Sequence, residues 1–484
     1  MRIASRLLIL VVLTGMLVAC AAPQPVVQTV VQTVVVPQQV EKPVVQTVMV
    51  PVQQTVVVKE EVQVVATPTP APKAEIKGGP LEVGVLWEQP QPWAMIAKSV
   101  GDSLEKDFPG TKVTYTFNNT PARPTIELRW LRGDPLDVDF IFEGTDPVSW
   151  KWVDEGYLLD LTPYMEQEVQ PGVKWKDLVL PIANPSIKYK GKTYSAPEQT
   201  FIWLLQYNQK MLKDFGVEPP KTWDDVLKAC ETIKAKGVAP IAMAGPINFY
   251  VGMWYDALAQ RIVGEDAVMN VLYGQGKLAD NPGFLKAAQE FQKLFTNGCI
   301  IKGFEGVDFT AVQQQFFQGQ AAMIFMGSWL TTEMKDSIPK DFELGVTTFP
   351  TYEGGKGGQD TLFGRTLSWS VASASKNPEL AVEYLKRFST DPAIVKQRAE
   401  QLGELVPLVG APPPGGMIGI DKVLEQAKTS KMILYNYGVN SDTGLASAWY
   451  NPMVEMAFGK ITPEQMIANI DKGLADYTAQ KATK

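Results

Sequence analysis

The sequence predicts an α/β protein in two lobes, set after a low-complexity amino-terminal segment. Three observations carry that expectation. Strand and helix patterns alternate from Leu81 to Phe142, and a second alternating series begins at Thr222. Residues 21–78 contain no Phe, Trp or Tyr, and the composition changes abruptly at Gly78-Gly79-Pro80.

The first series opens with the run Leu81-Glu82-Val83-Gly84-Val85-Leu86-Trp87, which reads as a strand, followed by a helix from about Pro92 to Phe108. Lys112 to Phe117 is the second strand, Thr125 to Leu131 a helix, and Asp137 to Phe142 the third strand. This β-α-β-α-β order implies a parallel sheet with right-handed crossovers. Ligands of such sheets sit beyond the carboxyl ends of the strands, which draws attention to Trp87, Glu88 and Asp146. In the second series, Thr222-Trp223-Asp224-Asp225 reads as a capping box before a helix ending near Lys236. Helices are predicted at about Tyr250–Val263, Pro282–Asn297, Asp308–Phe317 and Pro378–Ser389, and from about Ala446 onward. Ala321–Met326, Phe342–Thr347 and Leu367–Ala372 are the remaining strands.

Composition narrows the chemistry. The chain has 484 residues, 45% hydrophobic and 20% charged, with a net charge of −7. An acidic balance without a basic run argues against nucleic-acid binding, where Lys and Arg must neutralise phosphates. There is no histidine, which removes Ser-His-Asp and Cys-His catalysis and HExxH metal sites. Aromatic residues reach 10%, including 12 Trp, a side chain suited to gripping amphipathic ligands.

The amino terminus reads as an address. A short basic start precedes an apolar run from Leu7 to Val18, too short to span a bilayer comfortably, which takes about 20 residues. Its ending, Leu17-Val18-Ala19-Cys20, resembles a bacterial lipobox, which implies cleavage after residue 19 and lipidation of Cys20. The following segment, 20–78, repeats VVQTV from Val26, Val30 and Val44 and closes with alternating Pro; it reads as a disordered stalk, with a short β-repeat as the alternative. Cys230 and Cys299 remain, either paired or as two buried thiols.

Several motif fragments lead nowhere. Gly191-Lys192-Thr193 lacks the first glycine of a P-loop, since Ser186 stands there. Ser373 to Lys376 fits SxxK, but no KTG triplet occurs. Asp134, Asp137 and Asp139 read as a turn and a strand entry rather than a calcium loop.

Other segments carry a resemblance. Leu131-Arg132-Gly133-Asp134-Pro135-Leu136-Asp137-Val138 followed by Asp154-Glu155-Gly156-Tyr157-Leu158-Leu159-Asp160-Leu161 resembles the amino-terminal signature of family 1 extracellular solute-binding proteins, which serve ABC importers for sugars. In the same order come Tyr207-Asn208-Gln209 with Pro219-Pro220-Lys221-Thr222-Trp223-Asp224-Asp225, then Gly319 to Met323 with Gly327-Ser328-Trp329, then Ser375-Lys376-Asn377-Pro378-Glu379. The continuation from Trp329 to Lys335 is similar to binding proteins for N-acetylglucosamine and its disaccharide.

The resemblance implies a type II periplasmic-binding-protein-like fold with the ligand between two lobes. It divides the chain into a signal peptide (1–19), a lipidated linker (20–78), a first lobe (79–201 plus 361–411) and a second lobe (202–352 plus 416–484). It implies a carbohydrate ligand, an ABC permease as partner, membrane attachment through Cys20, a monomer, and neither enzymatic activity nor a cofactor or metal. The ligand contacts it suggests are Trp254, Ser328, Trp329 and Trp449 from the second lobe and Trp87, Glu88 and Asp146 from the first, with Glu198, Arg365 and Trp369 on the crossing segments. Three alternatives stay open. A surface glycoside hydrolase would use Asp146 and Glu198 as paired carboxylates; the others are a structural envelope lipoprotein and a binding protein for a non-sugar solute.

Overall fold

The computed structural model describes residues 35–37, 51–53, 75–85, 92–117, 123–139 and 147–482. The chain divides into two units, 1–68 and 69–484. In the first, the described residues form two three-residue strands, Val35–Pro37 and Pro51–Gln53, paired antiparallel with Val36 opposite Val52. These strands flank the VVQTV copies at 26–34 and 44–48, which lie outside the described residues. The predicted signal peptide and Cys20 lie outside the described residues.

The second unit is built as the alternation predicts. Strand β1 (Pro80–Val85) leads through helix α1 (Pro92–Asp107) to β2 (Lys112–Phe117), and helix α2 (Arg123–Leu131) leads to β3 (Val138–Asp139). Both β2 and β3 pair parallel with β1. Next comes a thirteen-residue strand, β4 (Ala196–Asn208). Helix α3 (Trp223–Ala235) starts with the capping box read from the sequence: Thr222 Oγ1 accepts from the Asp225 amide, and the Asp225 carboxylate accepts from the Thr222 amide. Strand β5 (Ala239–Ala242), helices α4 (Asn248–Val263) and α5 (Pro282–Thr296), and strands β6 (Ala321–Gly327) and β7 (Leu344–Thr347) follow. The chain returns along β8 (Leu362–Val371), α6 (Pro378–Thr390) and α7 (Pro392–Leu402). It ends with β9 (Met432–Leu434), α8 (Thr443–Ala457) and α9 (Pro463–Ala482).

Among the described residues, nine strands form one curled sheet in the order β5-β6-β4-β8-β3-β1-β2, with β7 paired to β4 and β9 to β8. Two cores lie along it. One gathers Leu81, Val83, Val100, Val138, Trp369 and Leu385. The other, larger, gathers Leu205, Val251, Phe291, Met323, Phe349 and Met453. The antiparallel pair β4–β8 passes from one to the other. On β4, Ala196 packs in the first core and Ile202 in the second; on β8, Phe363 packs in the second and Trp369 in the first. The molecule is therefore two α/β lobes joined by shared strands, the arrangement that lets lobes hinge.

Cys230 on α3 and Cys299 form a disulfide inside the second lobe, with Cα atoms 5.3 Å apart and both side chains buried. Among the described residues no helix is long and apolar enough to cross a membrane.

Candidate ligand site at the crossing strands

Strand β6 is wholly buried and pairs antiparallel with β4, Gly327 opposite Trp203. Where it ends, the Ser328 amide donates to the Ile202 carbonyl at 2.8 Å, and Ser328 Oγ accepts from the Ile202 amide at 3.3 Å. These bonds seat Trp329 against the crossing strand. Its indole lies over Gly327, where a Cβ would overlap the ring, so glycine is what allows the ring to lie flat on the backbone. Phe201 meets Trp329 edge-on at 5.2 Å and 88°, and Trp203 does so at 5.6 Å and 87°. Such packing holds an aromatic ring in one rotamer, and Trp329 is left half-buried. Arg365 on β8 stands directly opposite Phe201 on β4, which places the guanidinium-bearing strand beside the same rings.

The aromatic surface continues into the second lobe. Around Trp203 stand Tyr250 (5.3 Å), Phe325 (5.4 Å), Tyr435 (5.5 Å) and Phe249 (6.4 Å). Phe249 and Tyr435 are half-buried, as is Phe309, which packs on Tyr250 at 4.9 Å. The Trp203 indole N–H is buried without a hydrogen-bond partner. The half-exposed rings of Trp329, Phe249, Phe309 and Tyr435 make a surface suited to a ligand with apolar faces.

Of the residues singled out from the sequence, Ser328, Trp329 and Arg365 meet here. Trp87, Glu88 and Asp146 lie outside the described residues. Four others are buried in this conformation. Trp254 is 1% exposed and packs on Phe325, Phe349 and Trp223. Trp449 is 0% exposed and donates its indole N–H to Asp256 Oδ1 at 2.9 Å. Trp369 is stacked on Trp93 at 5.2 Å and 9°, with Phe388 also against it at 5.2 Å. Glu198 is 0% exposed; its Oε2 accepts from the Trp369 indole at 2.7 Å and its Oε1 from the Trp93 indole. Both oxygens of this carboxyl are thus engaged inside the fold. Burial, and next the nearby Glu404 carboxylate, push its pKa up, against the pull of Arg398 and the two indoles.

Phe201, Trp203, Phe249 and Tyr435 were not anticipated. The run Thr200-Phe201-Ile202-Trp203 did hold a signal, since alternate residues of a strand share a face and would put both rings beside each other. Tyr435 and Phe249 reach the site only through the tertiary fold.

A two-lobed α/β chain with an aromatic surface at its crossing strands belongs to the class of bilobal binding proteins. Comparison with known proteins gives the family: residues 87–393, more than half of the chain, match the bacterial extracellular solute-binding protein family, and the chain belongs to it. Its curated relatives include the multiple sugar-binding protein of Streptococcus mutans serotype c, 24% identical over 308 residues that cover 62% of this chain and 69% of that one. Another is the diacetylchitobiose binding protein of Streptomyces coelicolor, 22% identical over 338 residues that cover 66% and 70%. Among solved structures, a chitin oligosaccharide binding protein shares the fold with a TM-score of 0.66 and 23% identity, over 83% of this chain and 99% of that one.

Proposed function

We propose that the protein is the extracytoplasmic binding component of an ABC importer. It takes a mono- or oligosaccharide between its lobes and, closed around it, delivers it to a membrane permease. The observation that carries this reading is the half-buried Trp329, laid over Gly327 and fixed edge-on by Phe201 and Trp203, with Arg365 on the strand opposite. An indole face matches the C–H face of a pyranose, and Ser, Arg and indole N–H groups match its hydroxyls. The sugar-binding relatives support the same ligand class, and the chitin-type relatives favour N-acetylglucosamine units among the sugars to be tried.

In this reading Trp87, Glu88 and Asp146 complete the site from the first lobe (79–201 plus 361–411), facing the second (202–352 plus 416–484). Residues 1–19 are a signal peptide, a lipid on Cys20 is the anchor, and 20–78 tether a monomeric binding domain. The protein binds its sugar and releases it unchanged, without enzymatic activity or cofactor.

A thermal-shift screen of mono- and oligosaccharides, including maltotriose and diacetylchitobiose, tests the proposal. A ligand at a hundredfold its Kd stabilises the folded state by about 2.7 kcal/mol. At least one sugar should raise the melting temperature of the wild type and fail to do so in Trp329→Ala, and be recovered intact. No shift with any sugar would end the carbohydrate assignment.

A further inference from the structure

Among the described residues, three segments connect the lobes, and one buried polar cluster touches the two crossing strands and the stretch that leads to the third. On β4, Pro197 pairs with Ser368 and Gln199 with Leu367, so Glu198 is an extra residue, a β-bulge in the crossing strand. Its carboxyl binds the indole of Trp369, on the second crossing strand β8, and that of Trp93, at the start of α1. Its main-chain carbonyl accepts from Arg398 Nη2 on α7. Arg398 in turn pairs through Nε with Glu404 at 2.9 Å, the two side chains 0% and 2% exposed, and Nη1 donates to the Phe388 carbonyl at 3.2 Å. Glu404 lies on the stretch that leads to the third crossing, between Leu402 in the first core and Leu405 in the second, before the chain pairs once more with the first lobe at Val179 and Leu408. The Thr200 amide then donates to the Leu405 carbonyl at 2.8 Å.

Beyond this cluster, toward the second lobe, β4 and β8 continue as a paired ladder, Thr200 opposite Thr366, Phe201 opposite Arg365 and Ile202 opposite Gly364, without a buried charged cluster of their own among the described residues. The Thr200 and Thr366 hydroxyls bond each other at 2.8 Å, and Gly364 approaches the Phe201 carbonyl so closely that a Cβ there would overlap it.

We propose that Glu198 is a positioning residue of the hinge: with Trp93, Trp369, Arg398 and Glu404 it clamps the two crossing strands and the stretch that leads to the third into one body with the first lobe. Bending is then confined to the stretch from Thr200 to Ile202 and its partners from Gly364 to Thr366, next to Phe201 and Trp329. The clamp thereby sets how readily the lobes close, without touching the ligand. This rests on the reading that the lobes close on a ligand, but the clamp itself is testable in the ligand-free protein.

Glu198→Gln keeps the shape and removes one acceptor, so one indole N–H faces an amide NH₂ and loses its bond. Hydrogen exchange of the ligand-free full chain reads the result. Amides at 198–202, 364–369 and 402–406 should exchange about tenfold faster or more, the cost of leaving a buried donor unpaired. Slow exchange in the interiors of both lobes should remain. Trp93→Phe, which deletes one donor and keeps an aromatic ring, should act in the same direction and carries the test if Glu198→Gln does not fold. Unchanged exchange at the crossings overturns the proposal, as does a uniform rise across the first lobe, which would make Glu198 a packing residue only. The affinity for maltotriose or diacetylchitobiose, whichever binds the wild type, should also change at least fivefold in Glu198→Gln. If neither the wild type nor the variant binds any sugar, the functional reading fails while the exchange data still decide the clamp.

Discussion

Replacing Asp256 by Asn should change how the stability of the protein depends on pH. Asp256 sits on α4, 0% exposed, with Oδ1 accepting from the Trp449 indole at 2.9 Å and Oδ2 from the Tyr450 hydroxyl at 2.8 Å. Among the described residues no cation pairs with it. Burial raises its pKa from 3.8 to about 7, and the two hydrogen bonds offset only part of that. The folded state therefore holds a proton that the unfolded chain gives up near its ordinary value. The stability linked to this proton is fully present below about pH 4 and is lost as the pH rises through about 7. At about 1.4 kcal/mol per unit, the displacement corresponds to about 4 kcal/mol. Asparagine keeps the fold supplied with hydrogen bonds: its oxygen accepts from Trp449, and its NH₂ donates to Tyr450, whose hydroxyl turns to accept. Urea unfolding of both proteins from about pH 4 to 8 isolates the effect, because every other carboxyl contributes equally to the two curves. The variant should gain on the wild type by about 4 kcal/mol across that range. Parallel curves would refute the reasoning and mean that Asp256 ionises as if water reached it.

Other perturbations follow from the same coordinates. In Gly327→Ala the new methyl group occupies the place of the Trp329 ring. Titration calorimetry should show sugar affinity falling about tenfold, one lost aromatic contact, with circular dichroism unchanged. The Cys230–Cys299 bridge closes a loop with a sequence separation of 69. Replacing both by Ser should lower unfolding stability by about 4 kcal/mol, measured in urea. Arg261, 0% exposed, donates to the carbonyls of Phe349, Pro350, Gly358 and Thr361 and to Gln260 Oε1. Burial lowers its pKa to about 10. Arg261→Met strips these carbonyls of their donor, and limited proteolysis should cut within 349–361, a stretch that resists in the wild type, with a stability loss of about 3 kcal/mol or more.

What could be read from the sequence was what local chemistry decides. The helix at Trp223 was legible because its cap is made by Thr222 and Asp225, three positions apart. Strand β6 was legible because its apolar run is short and bounded, and β2 because Val113, Tyr115 and Phe117 alternate with polar residues. The full length of β4 was not, because Glu198-Gln199-Thr200 interrupts its apolar run with three buried polar residues whose partners come from elsewhere. The tail was expected to be helical from about Ala446 and is, in two helices: α8 ends at Ala457 and α9 restarts at Pro463, a residue favoured in a first turn.

The tryptophans divide for a related reason. A ligand-gripping indole and a core indole have the same side chain, and only the number of covered faces separates them. Trp329, singled out through the resemblance of Gly327-Ser328-Trp329, follows a strand end where the chain leaves the core, and one of its faces stays half-open. Trp254 and Trp449 sit on helices with aromatic neighbours on several sides, and neighbours supplied by other elements cannot be counted from one stretch of chain. Glu198 is the sharpest case. After Pro197 it reads as an exposed acid, yet its indole partners lie 105 and 171 positions away. Partners that far along the chain are supplied only by the tertiary fold, which is why neither its burial nor its bonds could be read from the residues around it.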